Sequence, residues 1–283
     1  MVAPPIQSAP PQRIAAPARV PRAFRIGASI LFIAVWVAVG FFRHLDPNSY
    51  LLLGIPLTIF FQVAVKREPL TALWLRAAPP IVNRKAFIAA IVVLAPLPAY
   101  SLFEAILKHA AAPILLWLVA CLAGVVAAAY SVAAFNRIAW TATLRCLATG
   151  GVISIMMILL VSIVGHKTWA ASSFLTFGRW LLLYFPVSFV MEEVSFRGAI
   201  DSYVQQPGDR QWWATPFLVS VLWGLWHLPI VPHATIGTAI TLIVVHTLLG
   251  VPLSIAWRQS GNLAAPAGVH AFVDAVRNMV QSM

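Results

Sequence analysis

The chain alternates long apolar runs with short polar breaks. The runs fall at about 26–42, 50–65, 86–103, 113–135, 147–165, 174–204, 212–231, 236–257 and 262–279. Against a hydrocarbon layer about 30 Å thick the first two are short, and the last is the most polar. The pattern predicts an all-α fold, a polytopic membrane helical bundle of eight or nine transmembrane helices. No internal repeat is visible among the runs.

Composition strengthens that expectation. The 283 residues are 61% hydrophobic, whereas a soluble domain is about half apolar, and the excess is spread along the chain. The formal charge of +11 would point to nucleic acid in a soluble protein. Here the basic residues lie between apolar runs, and their placement follows the positive-inside rule. With the N-terminus inside, 13 Lys and Arg fall in inside segments and 3 (Arg43, Lys108 and Lys167) in outside loops, leaving Arg179, Arg197 and Arg277 within runs. The expectation is an integral protein of the cell (inner) membrane with a cytosolic N-terminus, in contact with the bilayer and not with nucleic acid. Residues 1–25, rich in Pro, Ala and Arg, read as a disordered basic cytosolic tail without the apolar core of a signal peptide. Residues 26–165 read as scaffold helices and 174–283 as the catalytic core. Cys121 and Cys146 form no CxxC and no zinc cluster, and read as small buried hydrophobes.

Ionisable groups inside a membrane are costly and mark functional sites. Within the runs they are Arg179, Glu192, Glu193, Arg197, Asp201, His227, His246, His270 and Asp274. The interiors of the first five runs hold no acid, lysine or arginine. Glu193 and Arg197 are four apart, share a helix face and can pair. Glu192 is turned about 100° from its neighbour and is left to face another partner.

Depth offers an independent check. If the helix carrying the two glutamates runs on to about Val204, Glu192 lies twelve residues above the turn, about 18 Å. His227 lies fifteen residues up the next helix, about 22 Å, so an antiparallel hairpin brings the two to similar levels. His270, about 12 Å into the last helix, shares a face with Asp274 and reaches the same zone.

A carboxylate with one or two imidazoles in a wet intramembrane cavity suits water activation, with other polar groups receiving the charge that develops on a carbonyl. The same residue types can hold zinc, through Glu192, His227 and His270. HExxH is absent, and sequence chemistry leaves both mechanisms open. His246 reads as a packing histidine, and His44, His109, His166 and His233 lie in or near loops. Trp223, four residues before His227, can buttress its ring.

Together these residues resemble the CPBP (CAAX protease and bacteriocin-processing, Abi) family of intramembrane proteases, which includes the type II CAAX prenyl endopeptidases. "EEVSFRG" from Glu192 resembles its EExxxR motif followed by Gly. "WGLWHLP" resembles FxxxH ending at His227, with Trp223 where Phe is usual. "GNLAAPAGVHAFVDA" resembles the final HxxxN or HxxxD, with Asp274 where the prenyl endopeptidases have Asn. The resemblance covers about residues 174–279 and implies that Glu192 and His227 activate water, that His270 and Asp274 shape the oxyanion site, and that Glu193 and Arg197 support them. It implies no catalytic cofactor, although zinc remains possible.

The expected function is an intramembrane endopeptidase cutting a membrane-associated protein or peptide, with glutamate-type and metal-type mechanisms both open. A non-enzymatic bacteriocin-immunity or scaffold protein is the alternative, and a proton-coupled transporter the third reading.

Overall fold

The computed structural model describes residues 20–76, 81–164, 170–206, 209 and 213–282. Among these, no strand forms beyond one isolated backbone bridge between Leu75 and Asn262. The helices are α1 (Arg22–Arg43), α2 (Pro47–Phe60), α3 (Arg84–Leu94), α4 (Pro96–Leu107), α5 (Ala112–Ala133), α6 (Arg137–Val164), α7 (Ala171–Ser188), α8 (Ser202–Val204), α9 (Ala214–Trp226), α10 (Ile236–Ser260) and α11 (Ala264–Gln281). Two stretches wind as π-helix: Phe61–Lys66 after α2, and Phe189–Asp201, which joins α7 to α8.

Among the described residues, each of the nine apolar runs is chiefly helical. Seven segments among those residues are long and apolar enough to cross a membrane: Arg22–Arg43, Pro47–Lys66, Arg84–Leu107, Ala112–Ala133, Arg137–Val164, Ala171–Val204 and Ile236–Ser260. The other two differ for physical reasons. The helix ending at Trp226 is short because Pro229 follows three residues later and cannot continue it. The last helix is polar because most of it, 13 of 18 residues, is buried against protein rather than lipid.

Local chemistry sets the ends. Asp46 caps α2, accepting from the amides of Asn48 and Ser49 at 3.0 and 3.2 Å. Thr235 and Thr238 form a capping box on α10, which ends at Gly261 with φ 61°. Asn136 accepts from the Ala139 amide at 2.9 Å and starts α6 ten residues before the expected run. Arg145 consequently lies inside a helix rather than ahead of one.

The first helix begins at Arg22, inside the stretch expected as tail; residues 1–19 of that stretch lie outside the described residues. Arg22 donates to Thr215 at 2.6 Å, and Arg25 donates to the Tyr203 carbonyl at 3.0 Å and to Asp209 at 2.9 Å. Arginine buries its stem and holds its charged head among polar partners, so these residues order the helix start. Burial raises the pKa of Asp209, but the Gln206 amide and the Arg25 guanidinium outweigh it and hold the carboxyl below its ordinary value.

The Phe189–Asp201 segment is the centre of the bundle, packed by α2, α5, α7, α9, α10 and α11. Long π-helical stretches are rare and tend to accompany functional sites. Pro186, which has no N–H to complete the α-helical ladder, stands just ahead of it. Gly124 of α5 lies against the Pro186 carbonyl so closely that a Cβ there would collide with backbone. Gly124→Ala is expected to cost about 1–3 kcal/mol by overpacking, read as a fall of several degrees in the Tm of the detergent-purified protein.

Candidate active site

Four helical elements converge on one zone. The π segment supplies Glu192, Glu193 and Arg197; α9 supplies Trp223, with His227 directly after it; α10 supplies His246; α11 supplies His270, Asp274 and Arg277. The helix expected to reach Val204 does so, and Glu192 and His227 do lie at one level. Glu192 Oε2 is 3.7 Å from His227 Nε2 and 4.0 Å from His270 Nε2.

The two glutamates have different surroundings. Glu193 and Arg197 are both fully buried and pair at 3.0 Å between Oε1 and the guanidinium. The same Oε1 meets His270 Nδ1 at 2.9 Å. Glu192 instead accepts one hydrogen bond, from the Trp223 indole N–H at 2.9 Å, and faces the two histidines.

Imidazole geometry follows from the acceptors. His227 Nδ1 lies 2.9 Å from the Trp223 carbonyl, which has no proton to give. Nδ1 must donate, and in a neutral ring Nε2 then carries the lone pair that faces Glu192. His246 Nδ1 is held by the Leu242 carbonyl at 2.7 Å in the same way. His270 has carboxylates on both sides: Glu193 at Nδ1, and Asp274 Oδ2 3.3 Å from Nε2. Both of its nitrogens are placed to donate. Asp274 is also bound at 3.1 Å by Arg277.

Aromatic rings fix these groups. The Arg197 guanidinium lies 4.3 Å from the Trp223 ring centroid, a cation–π contact. His270 and His246 meet the same indole edge-on at 4.9 and 4.6 Å. Behind His227, Trp226 packs against Trp36 at 5.0 Å and Tyr50 at 5.4 Å, and the Tyr50 hydroxyl donates to the Trp226 carbonyl at 2.8 Å. The end of α9 is thereby clamped one residue before the imidazole.

The cluster lines a cavity of about 670 Å³. The cavity also touches Asn48 near the start of α2, Glu104 and Lys108 at the end of α4, and Ile114 near the start of α5. It therefore reaches the membrane face opposite the start of α1.

Every expected site residue (Glu192, Glu193, Arg197, His227, His270 and Asp274) belongs to this cluster. Asp201 does not; it pairs with Arg258 at 2.9 Å beneath the site. Arg179 lines the cavity. Three contributors were not legible in the sequence. The indole N–H of Trp223 holds Glu192. His246, expected to be a packing residue, stacks on His227 at 4.0 Å and lines the cavity. Arg277, set aside as lying within a run, anchors Asp274. A hint for His246 was available, because the run that carries it lies between two others with site residues. His44, His109 and His233 lie in connections between helices with positive φ and do not line the cavity, although Lys108 and Ala110 beside His109 do; His166 lies outside the described residues.

A metal on Glu192, His227 and His270 fits these positions poorly. Among the described residues no three His, Cys, Asp or Glu side chains converge as a metal-holding group. His270 Nε2 is turned to Asp274 as a donor, and a protonated nitrogen offers no lone pair.

A carboxylate and imidazoles that line one cavity within a helical bundle have the chemistry for hydrolysis. Residues 174–276 match the family model Rce1-like, type II CAAX prenyl endopeptidase Rce1-like. That segment, about a third of the chain, is similar to a family of CAAX-type membrane peptidases, and the long apolar helices around it are those of an integral membrane protein. No curated protein and no solved structure gives a match.

Gly198, the last residue of "EEVSFRG", has no room for a Cβ against the Leu73 carbonyl, so the segment below the site approaches backbone closely. Removing Arg197 leaves Glu193 buried without its cation. Arg197→Ala is expected to lose about 3–5 kcal/mol, whereas Glu192→Gln, which retains an oxygen for Trp223, leaves thermal unfolding within about 1 kcal/mol of the parent. Differential scanning fluorimetry on both variants checks the contrast.

Proposed function

We propose that Glu192 and His227 together activate the water that cleaves a peptide bond in a membrane-associated protein or peptide. One observation carries the reading. Two acceptors, Glu192 Oε2 and the bare Nε2 of His227, face each other 3.7 Å apart, too far for a direct hydrogen bond. A water donating one proton to each fits that gap, and its lone pair is left free to attack.

In the step, the water oxygen bonds to the scissile carbonyl carbon and one of its protons passes to Glu192 or His227. The carbonyl π pair moves to oxygen. As the C–N bond breaks, that proton is returned to the leaving nitrogen. His270, with both nitrogens donating to carboxylates, is an imidazolium, and its positive charge beside the cavity stabilises the oxyanion. Asp274 acts indirectly: bound to His270 and Arg277, it orients the imidazole rather than facing the oxyanion itself. Glu193 and Arg197 hold His270 from the other side. No step requires a metal or other cofactor.

The protein spans the cell membrane with its N-terminus cytosolic, which agrees with the basic residues Lys66, Arg67, Arg76, Arg84 and Lys85 on the face where α1 begins. The cavity then opens towards the opposite face, and substrate reaches the site from there or from the bilayer.

Glu192→Gln and His227→Asn are each expected to lower cleavage by about 10²–10⁴-fold while the protein stays at normal abundance in the membrane. Comparison of new protein termini in membranes containing the parent or the Glu192→Gln variant supplies the readout. An unchanged set of termini would remove the proteolytic reading and leave the immunity or scaffold role.

A further inference from the structure

Away from the catalytic cavity, a second recess of about 490 Å³ lies where the start of α6 meets the end of α10. It is lined by Arg137, Thr141 and Arg145 of α6 and Gln259 of α10. Neither guanidinium has an ion-pair or hydrogen-bond partner among the described residues.

The charge balance of the chain makes this unusual. It has eight acidic residues, and each is engaged elsewhere. Asp46 caps α2, and Glu68, Glu104, Asp201 and Asp209 pair with Lys66, Lys108, Arg258 and Arg25. Glu192, Glu193 and Asp274 belong to the site. No protein anion remains for Arg137 or Arg145.

Position adds a second constraint. Arg145 lies eight residues into α6, about 12 Å along its axis, and a guanidinium at that depth must reach back towards the interface. The neighbouring Ile138, Trp140 and Leu144 are exposed at 60, 57 and 63%, as expected of side chains that face lipid, with Trp140 suited to the headgroup boundary. Thr141, between the arginines, donates to the Arg137 carbonyl at 2.9 Å. The positive end of the α6 dipole also points to this face.

We propose that this recess binds the headgroup of an anionic phospholipid, with Arg137 and Arg145 holding the phosphate and the acyl chains lying along Ile138, Trp140 and Leu144. Basic recesses between membrane helices at headgroup level have the chemistry for such lipids, and paired guanidiniums match phosphate oxygens. The proposal does not depend on the peptidase mechanism.

The test is native mass spectrometry of the full-length protein released from detergent after incubation with equal phosphatidylglycerol and phosphatidylcholine. The parent is expected to retain phosphatidylglycerol preferentially. Arg137→Gln with Arg145→Gln is expected to reduce that retention about tenfold or more, while the paired Lys substitutions retain most of it. A variant with Arg84→Gln and Lys85→Gln, on the same membrane face, controls for diffuse charge. Folding of each variant is verified by its Tm. Equal retention by the double Gln variant and the parent overturns the proposal, as does an equal loss in the Arg84/Lys85 variant. Displacement of the lipid by inorganic phosphate alone overturns the assignment to a lipid headgroup.

Discussion

The C-terminal half is organised around one buried ionic junction: Glu193 held between Arg197 and His270, at 3.0 and 2.9 Å. Glu193 and Arg197 have no solvent exposure, so neither charge is tolerable without the other. Arg197 comes from the same helix, but His270 comes from α11. The junction therefore ties the central π segment to the last helix, and the cation on the face of Trp223 brings in α9 as well. Replacement by hydrophobic residues often costs little in stability. What this junction adds is position, because it sets the rotation of two helices about a shared point.

The reactive geometry follows from that constraint. With Glu193 turned into protein, Glu192 is presented to the cavity by the next step of the same backbone. Trp223 supports it twice over: its indole N–H holds the carboxylate, and its carbonyl fixes the tautomer of His227. Trp36 and Tyr50 lock Trp226 beside that imidazole. The first two helices thus take part in the site without supplying a reacting atom. They are more than inert scaffold, since the clamp on α9 joins residues as far apart as Trp36 and Trp226.

Much of this was legible in the sequence, for reasons that can be named. Hydrophobic run length located the helices because the bilayer enforces it. The i,i+4 spacing identified the Glu193–Arg197 pair because local geometry survives a change of helical pitch. Rise per residue brought Glu192 and His227 to one level because the helix continues to Val204. Other features depend on tertiary approach and leave no local trace. His270 as the second partner of Glu193, the Trp223 indole on Glu192 and the ring of His246 stacked on His227 each join residues at least 19 positions apart. The π-helical winding of Phe189–Asp201 was likewise hidden, with Pro186 as its one sequence cue. Arg22 and Arg25 looked like tail because their partners Thr215 and Asp209 lie nearly two hundred residues away.

Asp274 shows how a departure from the family pattern is accommodated. Asn at that position is neutral, whereas Asp adds a negative charge near the place where an oxyanion would form. The extra charge calls for an extra cation, and Arg277 supplies it one helical turn further on, at 3.1 Å. With His270 on its other oxygen at 3.3 Å, the carboxylate is bound on both sides at the cavity wall. The two positions belong together physically, and a reading that leaves Arg277 out makes Asp274 look like an anomaly when it is one half of a pair.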